Sequence, residues 1–228
     1  MKSLPADNRL RKRVRHHLWL ALGSLVVTGL LFGVLSLDYP DPQRWIFRWS
    51  LATGYVGAAL LAVTLSLGAW KVWRGRSNPV STDLRRDIGI WCGLFSIAHV
   101  ACGLNVHMKS WQLYFVTEEN GLRTDLFGLA NFTGLAATIV VVILLATSND
   151  FSLTFLKSRR WKAIQRWNYA FAALVALHAF LFIGIENRLV PFFFIFGVFV
   201  IWTLIIQAVG FQKHRRAAGK TPDVAASE

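Results

Sequence analysis

Six stretches of the chain run for about 20 residues with few charges: Leu18–Leu37, Trp49–Trp70, Ile88–Met108, Leu126–Thr147, Trp167–Ile185 and Val190–Phe211. At 1.5 Å of rise per residue, each can cross the ~30 Å hydrocarbon layer of a bilayer as one helix. Polar residues gather in the segments between them. The pattern predicts an all-α fold, a six-span transmembrane helix bundle. It divides the chain into an arm at 1–17, a membrane domain at 18–211 and a tail at 212–228, the end of which reads as disordered. The arm is too polar, and the first span too long, for a cleaved signal peptide, so that span is expected to be retained. Connections are expected to be short, the longest being Lys109–Asp125 with Glu118, Glu119 and Asp125.

Composition agrees with a membrane protein. Of 228 residues, 54% are hydrophobic, with ten Trp and seventeen Phe. The formal charge of +13 does not point to nucleic acid, because it sits between apolar runs rather than along a polar face. Its distribution gives an orientation. Twenty Lys and Arg fall on the side of the arm, the second and fourth connections and the tail; five (Arg44, Arg48, Lys109, Arg123 and Arg188) fall on the other. The positive-inside rule then puts both termini in the cytoplasm. Cys92 and Cys102 share one span, ten residues apart and on different helix faces, which argues against a mutual disulfide and for two buried thiols.

The chain carries no internal repeat, glycine-rich phosphate loop, dinucleotide fingerprint or Ser–His–Asp set with credible spacing. Only about 17 residues follow the sixth span, so a flavin or nicotinamide domain is expected on another polypeptide.

Histidines supply the candidate chemistry. His16, His17 and His214 lie in basic segments and read as solvated interfacial residues. His99 lies in the third span and His178 in the fifth, each eleven residues from the cytoplasmic start of its span. Both therefore sit roughly 16 Å deep, near the bilayer middle. Two imidazoles at equal depth on separate helices suit ligation of one haem between helices. Small residues beside them leave room for a macrocycle: Gly93, Ala98, Ala101 and Gly103 on one helix, Ala172, Ala173, Ala176 and Ala179 on the other. A hydrogen-bonded polar pair bridging helices, or a proton relay, fits the same spacing. His107 reads as an interfacial residue near Lys109 and Trp111; a propionate contact or a second ligand is its sharper alternative. Asn131 and Asn168 read as hydrogen-bonding across helices.

The stretch RRDIGIWCGLFSIAH resembles the third-helix motif of the ferric-reductase-like transmembrane domain family, with Arg85, Arg86, Gly89, Trp91 and His99 in register. In ATSNDFSLTFLKSRRWKAIQRWNYAFAALVALH, the residues Thr147, Ser148, Trp161, Tyr169 and His178 match the family's second motif. The likeness is closest to the MsrQ type, the haem-binding membrane subunit of bacterial methionine-sulfoxide reductase systems. It covers roughly residues 85–180. It implies haem b ligated by His99 and His178 in the bacterial inner membrane. It also implies an electron-transfer subunit of an oxidoreductase system, passing electrons from a cytoplasmic donor (a flavin reductase or quinol) to a periplasmic acceptor or partner reductase. One departure stands out. Gln165 replaces the first histidine of the family's fifth helix, and Arg86 lies at the corresponding place on the third. Neither ligates iron, so one haem is expected and no second one near the cytoplasm. FMN or a quinone near Arg86, Trp161, Gln165, Arg166 and Trp167 would shorten the remaining gap by phosphate pairing and stacking; an ordinary basic-aromatic membrane belt is the plainer reading of those residues. Direct reduction of external ferric ion or another small acceptor, and a haem-free membrane scaffold or transporter, are the competing functions.

Overall fold

A computed structural model describes residues 6–74, 82–107, 110–119, 121–186 and 190–218. The described residues form seven α-helices: α1 (Ala6–Asp38), α2 (Trp45–Arg74), α3 (Thr82–Gly103), α4 (Leu126–Ala146), α5 (Asp150–Gln165), α6 (Asn168–Ile185) and α7 (Val190–Ala218). Short 3-10 turns at Pro42–Arg44 and Trp111–Tyr114 lie between them. Five segments are long and apolar enough to cross a membrane: Leu10–Asp38, Pro42–Trp70, Leu126–Ala146, Asp150–Ile185 and Phe196–Lys213. The sixth expected span, α3, is less apolar because it holds Arg86, Asp87 and His99. It is nonetheless packed along the length of α2 and touches α4. α2 also packs against α1 and α7, and α4 pairs with α6.

Two apolar clusters hold the bundle. One joins α1, α2, α6 and α7 through Leu35, Phe47, Leu51, Ile183 and Phe196; the other joins α2, α3, α4 and α6 through Leu61, Leu65, Cys92, Val141 and Phe171. Faces turned away from the bundle stay apolar, with Leu22, Leu30, Ile139 and Ile201 all exposed, as contact with lipid tails requires. Cys92 and Cys102 are both free thiols; Cys92 is buried, whereas Cys102 is only half-buried.

Three features depart from the sequence reading. First, the connection between α4 and α6 holds a further helix, α5. Its hydrophobic and basic residues do not follow a clean helical stripe, and the backbone breaks at Lys157 (φ 59°, ψ 156°), a conformation strained for any residue with a Cβ. Phe151 and Phe155 stack at 6.0 Å on its exposed face. Second, α7 continues past Phe211 to Ala218, into the expected tail; residues 219–228 lie outside the described residues.

Third, the basic arm is not free in solvent. From Ala6 onward it is continuous with α1 and docks on the start of α3. Asp87, fully buried, accepts from Arg13 Nη2 at 2.9 Å and Nε at 3.2 Å, and pairs with His16 Nδ1 at 3.1 Å and His17 Nε2 at 3.3 Å. Trp91 Nε1 donates to His17 Nδ1 at 3.1 Å. An indole can only donate, so the proton of His17 lies on Nε2, facing the carboxylate. His16 and His17 are thus packing and pairing groups, not solvated ones. Removing one partner of a buried pair is strongly unfavourable. Here the partners left behind are 14–35% exposed and can recover water. We therefore expect Asp87→Ala to cost about 2 kcal/mol, read as a lower melting temperature in detergent, and to speed tryptic cleavage at Arg11, Lys12 and Arg15.

The arm, the start of α3 and the start of α5 share one end of the bundle, here called the arm end, where Arg86 pairs with Asp150 at 2.6 Å. α7 reaches the same end: Gln207 Nε2 donates to Leu65 O at 2.7 Å on the second half of α2. At the far end, Arg48 Nη1 donates to Tyr39 O at 3.0 Å. There Asp125 caps α4 by accepting the Gly128 N–H at 2.7 Å. That bond, with Arg123 beside it, holds the Asp125 carboxyl below the usual carboxylate range.

Candidate functional site

His99 of α3 and His178 of α6 meet in the middle of the bundle. Their ring centroids are 6.0 Å apart and their planes cross at 83°. Each ring is held the same way by a neighbouring helix. His99 Nδ1 lies 2.8 Å from Ser50 O on α2, with Ser50 Oγ at 3.3 Å; His178 Nδ1 lies 2.8 Å from Ala130 O on α4. A carbonyl oxygen only accepts, so both rings carry their proton on Nδ1. In the neutral imidazole the lone pair then resides on Nε2, the tautomer suited to binding a metal through that nitrogen.

Why those two carbonyls can take a second hydrogen bond is legible in the helices. In α2 and α4 each also accepts the N–H four residues on, as helical carbonyls do. A side chain at that later position leans back over the preceding turn and covers the carbonyl. Here the later positions are Gly54 and Gly134. A Cβ on Gly54 would stand 2.9 Å from His99 Nδ1, and one on Gly134 would stand 2.8 Å from both Nδ1 and Cε1 of His178. Two glycines on facing helices thus admit the two rings. Of the small residues expected to make room, Gly103 and Ala179 line the cavity, whereas Gly93 is packed against Leu145. The pairs Ser50/Gly54 and Ala130/Gly134 have the small-xxx-small spacing that lets membrane helices approach closely, and that spacing was the signal available in the sequence.

The rings open into a cavity of about 540 Å³ between α2, α3, α4 and α6, within the range of small-molecule sites. Its arm-end part is apolar, walled by Leu61, Val141 and Phe171; its far-end part meets His107, Glu186 and Trp111. Among the described residues no cluster of three or more His, Cys, Asp or Glu could hold a metal ion. A metal between His99 and His178 would therefore need its remaining ligands from outside the protein. The ring spacing suits such a metal: two imidazole–metal bonds of about 2.0–2.1 Å, each with about 1.1 Å from nitrogen to ring centre, set centroids about 6.2 Å apart.

His107, read from the sequence as interfacial near Trp111, lies with Trp111 at the far end of the cavity and is engaged there. Its Nε2 lies 2.9 Å from Oε1 of Glu186, which caps the end of α6, its ring stacks on Phe182 at 6.1 Å, and its backbone N–H donates to Tyr114 Oη. The buried Tyr114 donates in turn to Gly103 O and so ties the far-end connection to α3. Glu186 received no role in the sequence reading, because an acid at a span end looks like an ordinary boundary. Asn131 bonds back to Phe127 O within α4 rather than across helices.

The arm-end residues are arranged otherwise. Trp161 Nε1 donates to Thr147 O at 2.8 Å and Gln165 Nε2 to Thr147 Oγ1 at 3.2 Å, so both satisfy the end of α4. Arg86 is turned to Asp150 at 2.6 Å and Asp83 at 3.7 Å. Arg166 is exposed and Trp167 is 56% exposed. None of these side chains lines the cavity between the histidines.

No curated protein matches the chain. The family described as "Ferric reductase like transmembrane component" matches residues 53–177, from α2 through His99 to the residue before His178. That is more than half of the chain, and it takes in all of α3 and α4 and parts of α2 and α6, the helices that enclose the cavity. The chain is a multi-pass membrane protein and belongs to the ferric reductase-like transmembrane family, whose domain points to electron transfer at the membrane.

Proposed function

We propose that the chain is an electron-transfer membrane protein that holds one haem b between His99 and His178. The observation that carries this reading is the matched pair of imidazoles, 6.0 Å apart, with both Nδ1 atoms committed to carbonyls. When bound there, haem would supply a one-electron couple. The protein's part is to hold those ligands still. Ser50 and Ala130 fix ring tautomer and tilt through their carbonyls, and the packed helices resist movement, which keeps reorganisation small. The apolar walls exclude water from the metal position and lower the local dielectric, a main lever on redox potential.

In this reading both termini face the cytoplasm, on the charge asymmetry of the sequence, and the arm end is the cytoplasmic end of a bacterial inner-membrane protein. Electrons enter there and leave at the far end, toward a periplasmic partner reductase of the MsrQ-associated kind or another acceptor. The donor, a flavin reductase with FMN or a quinol, is assigned to the arm end. There the exposed Arg166 and Trp167 would meet it, and Trp161 and Gln165 would act as positioning groups through Thr147.

Absorption spectroscopy on the purified protein tests the reading: a Soret band that shifts and sharpens on dithionite reduction is expected, and a colourless preparation from haem-replete cells would sink it. Ferric-chelate reduction by the purified protein with an artificial donor would instead favour a direct reductase. Gln165→Ala is expected to leave the haem spectrum intact and to cost only about 1 kcal/mol of stability for the bond to Thr147. Complete loss of haem in that variant would contradict a single site at His99 and His178.

A further inference from the structure

We propose that the far end of the cavity is a carboxylate-binding site, in which the His107 imidazole receives an acidic arm of the macrocycle held between His99 and His178. The proposal rests on the haem reading above and sets how the macrocycle is oriented: acidic edge toward the far end, apolar edge toward the arm end.

Among the described residues, the ionisable donor that the cavity lining offers an anion away from the facing histidines lies at its far end. Among the described residues the basic side chains that line it are His99, His107 and His178, and its acid is Glu186. The first two of the facing pair, His99 and His178, are committed to the metal position. Among the described residues no Lys or Arg lines the cavity. Of the nearby far-end cations, Arg48 donates to Tyr39 O through Nη1 while its buried Nε has no hydrogen-bond partner, and Arg123 donates to Leu113 O and Asp125; neither lines the cavity. Tyr114 Oη already donates to Gly103 O. A carboxylate directed the other way would be buried against Leu61, Val141 and Phe171, where the hydroxyls of Ser96 and Thr138 already donate to Cys92 O and Gly134 O, which is strongly unfavourable.

His107 is built to serve two acceptors. Its Nε2 faces Glu186 at 2.9 Å, and its Nδ1 has no hydrogen-bond partner among the described residues. Phe127 packs edge-on to the ring at 5.6 Å and Phe182 face-on at 6.1 Å, fixing its plane. Protonated, the ring donates from both nitrogens and sits as a cation between two carboxylates, one from Glu186 and one from the ligand. Distance agrees. Phe182 lies 5.0 Å from His178 and 6.1 Å from His107, so the two histidine rings are at most the sum of those steps apart, within reach of a carboxylate arm on a macrocycle centred beside His178.

The test uses the full chain in detergent, produced in haem-limited cells and titrated with iron protoporphyrin IX or with its dimethyl ester, in which both acidic arms are neutral. Binding is read from the low-spin Soret band. The wild type is expected to bind the free acid about tenfold or more tightly than the ester. In His107→Gln that preference is expected to fall toward one while the low-spin band persists with both ligands. Glu186→Gln, which removes the competing carboxylate, is expected to keep the preference for the free acid. A wild-type preference near one, or a preference unchanged in His107→Gln, would overturn the proposal while leaving the histidine pair standing. Absence of a low-spin band with either ligand in the wild type would instead remove the haem reading itself.

Discussion

Replacing His99 or His178 by alanine is expected to abolish haem incorporation, so that the pyridine haemochrome of each purified variant drops from about one haem per chain to near zero. The expectation follows from the donor count. In the proposed reading the two facing imidazoles are the donors to the metal, and no cluster of three or more ligating side chains accompanies them among the described residues. Losing either would remove one of the two imidazoles proposed to hold the haem and leave a hole in an apolar cavity, with a backbone carbonyl of Ser50 or Ala130 stripped of its second donor. The control is His107→Ala, which removes a group at the cavity mouth rather than a ligand and is expected to retain haem. Retention of a full complement in His99→Ala or His178→Ala, or its loss in His107→Ala, would mean that the ligands were wrongly chosen.

The second large effect is expected from the glycines. Gly134→Ala places a methyl group 2.8 Å from His178 Nδ1 and Cε1, and Gly54→Ala places one 2.9 Å from His99 Nδ1. Such separations are well inside contact distance, so the ring must move or turn. Moving it breaks the Nδ1 bond to Ala130 O or Ser50 O and unsets the tautomer. Loss of the group that orients a ligating histidine typically weakens metal binding by about 10–100-fold. We therefore expect each variant to remain folded and membrane-inserted yet to bind haem about 10–100-fold more weakly in titration. Affinities within a factor of about two of wild type would show that the glycine cradle does not hold the rings.

These expectations mark where the sequence is informative. The span count came from apolar run length alone, because hydrocarbon imposes that length on any helix that crosses it. The depth match of His99 and His178 was equally readable, since it needs only residue counts from the span ends. What escaped were lateral contacts. The pairing of Asp87 with Arg13, His16 and His17 spans 70 or more residues, and no local pattern encodes which helices become neighbours. In a membrane, apolar residues face lipid and protein alike, so periodicity does not separate the two sides of α2 or α4. The carbonyls that hold the histidines belong to those helices, and their contribution became visible only through Gly54 and Gly134. Glu186 and His107 were hidden for a related reason: each lies at a span end, where polar residues are ordinary, and only the fold sets them 2.9 Å apart. α5 was missed because its basic residues resemble a connection and its apolar ones do not form a stripe.

The strain at Lys157 and the exposed Phe151 and Phe155 set α5 apart from the spans around it. Its second half nevertheless has a fixed task, since Trp161 and Gln165 reach Thr147 and close the end of α4. That helix in turn presents the Ala130 carbonyl to His178. The arm-end contacts therefore support the histidine pair through α4 without touching it.

Electron paramagnetic resonance of the purified, oxidised protein bears most directly on whether one iron lies between the two rings. Imidazole planes crossed at 83° lead to a low-spin ferric signal of the strongly anisotropic kind, from a single haem per chain. A high-spin ferric signal, or iron-free protein from cells well supplied with haem, would contradict ligation by His99 and His178 from opposite faces.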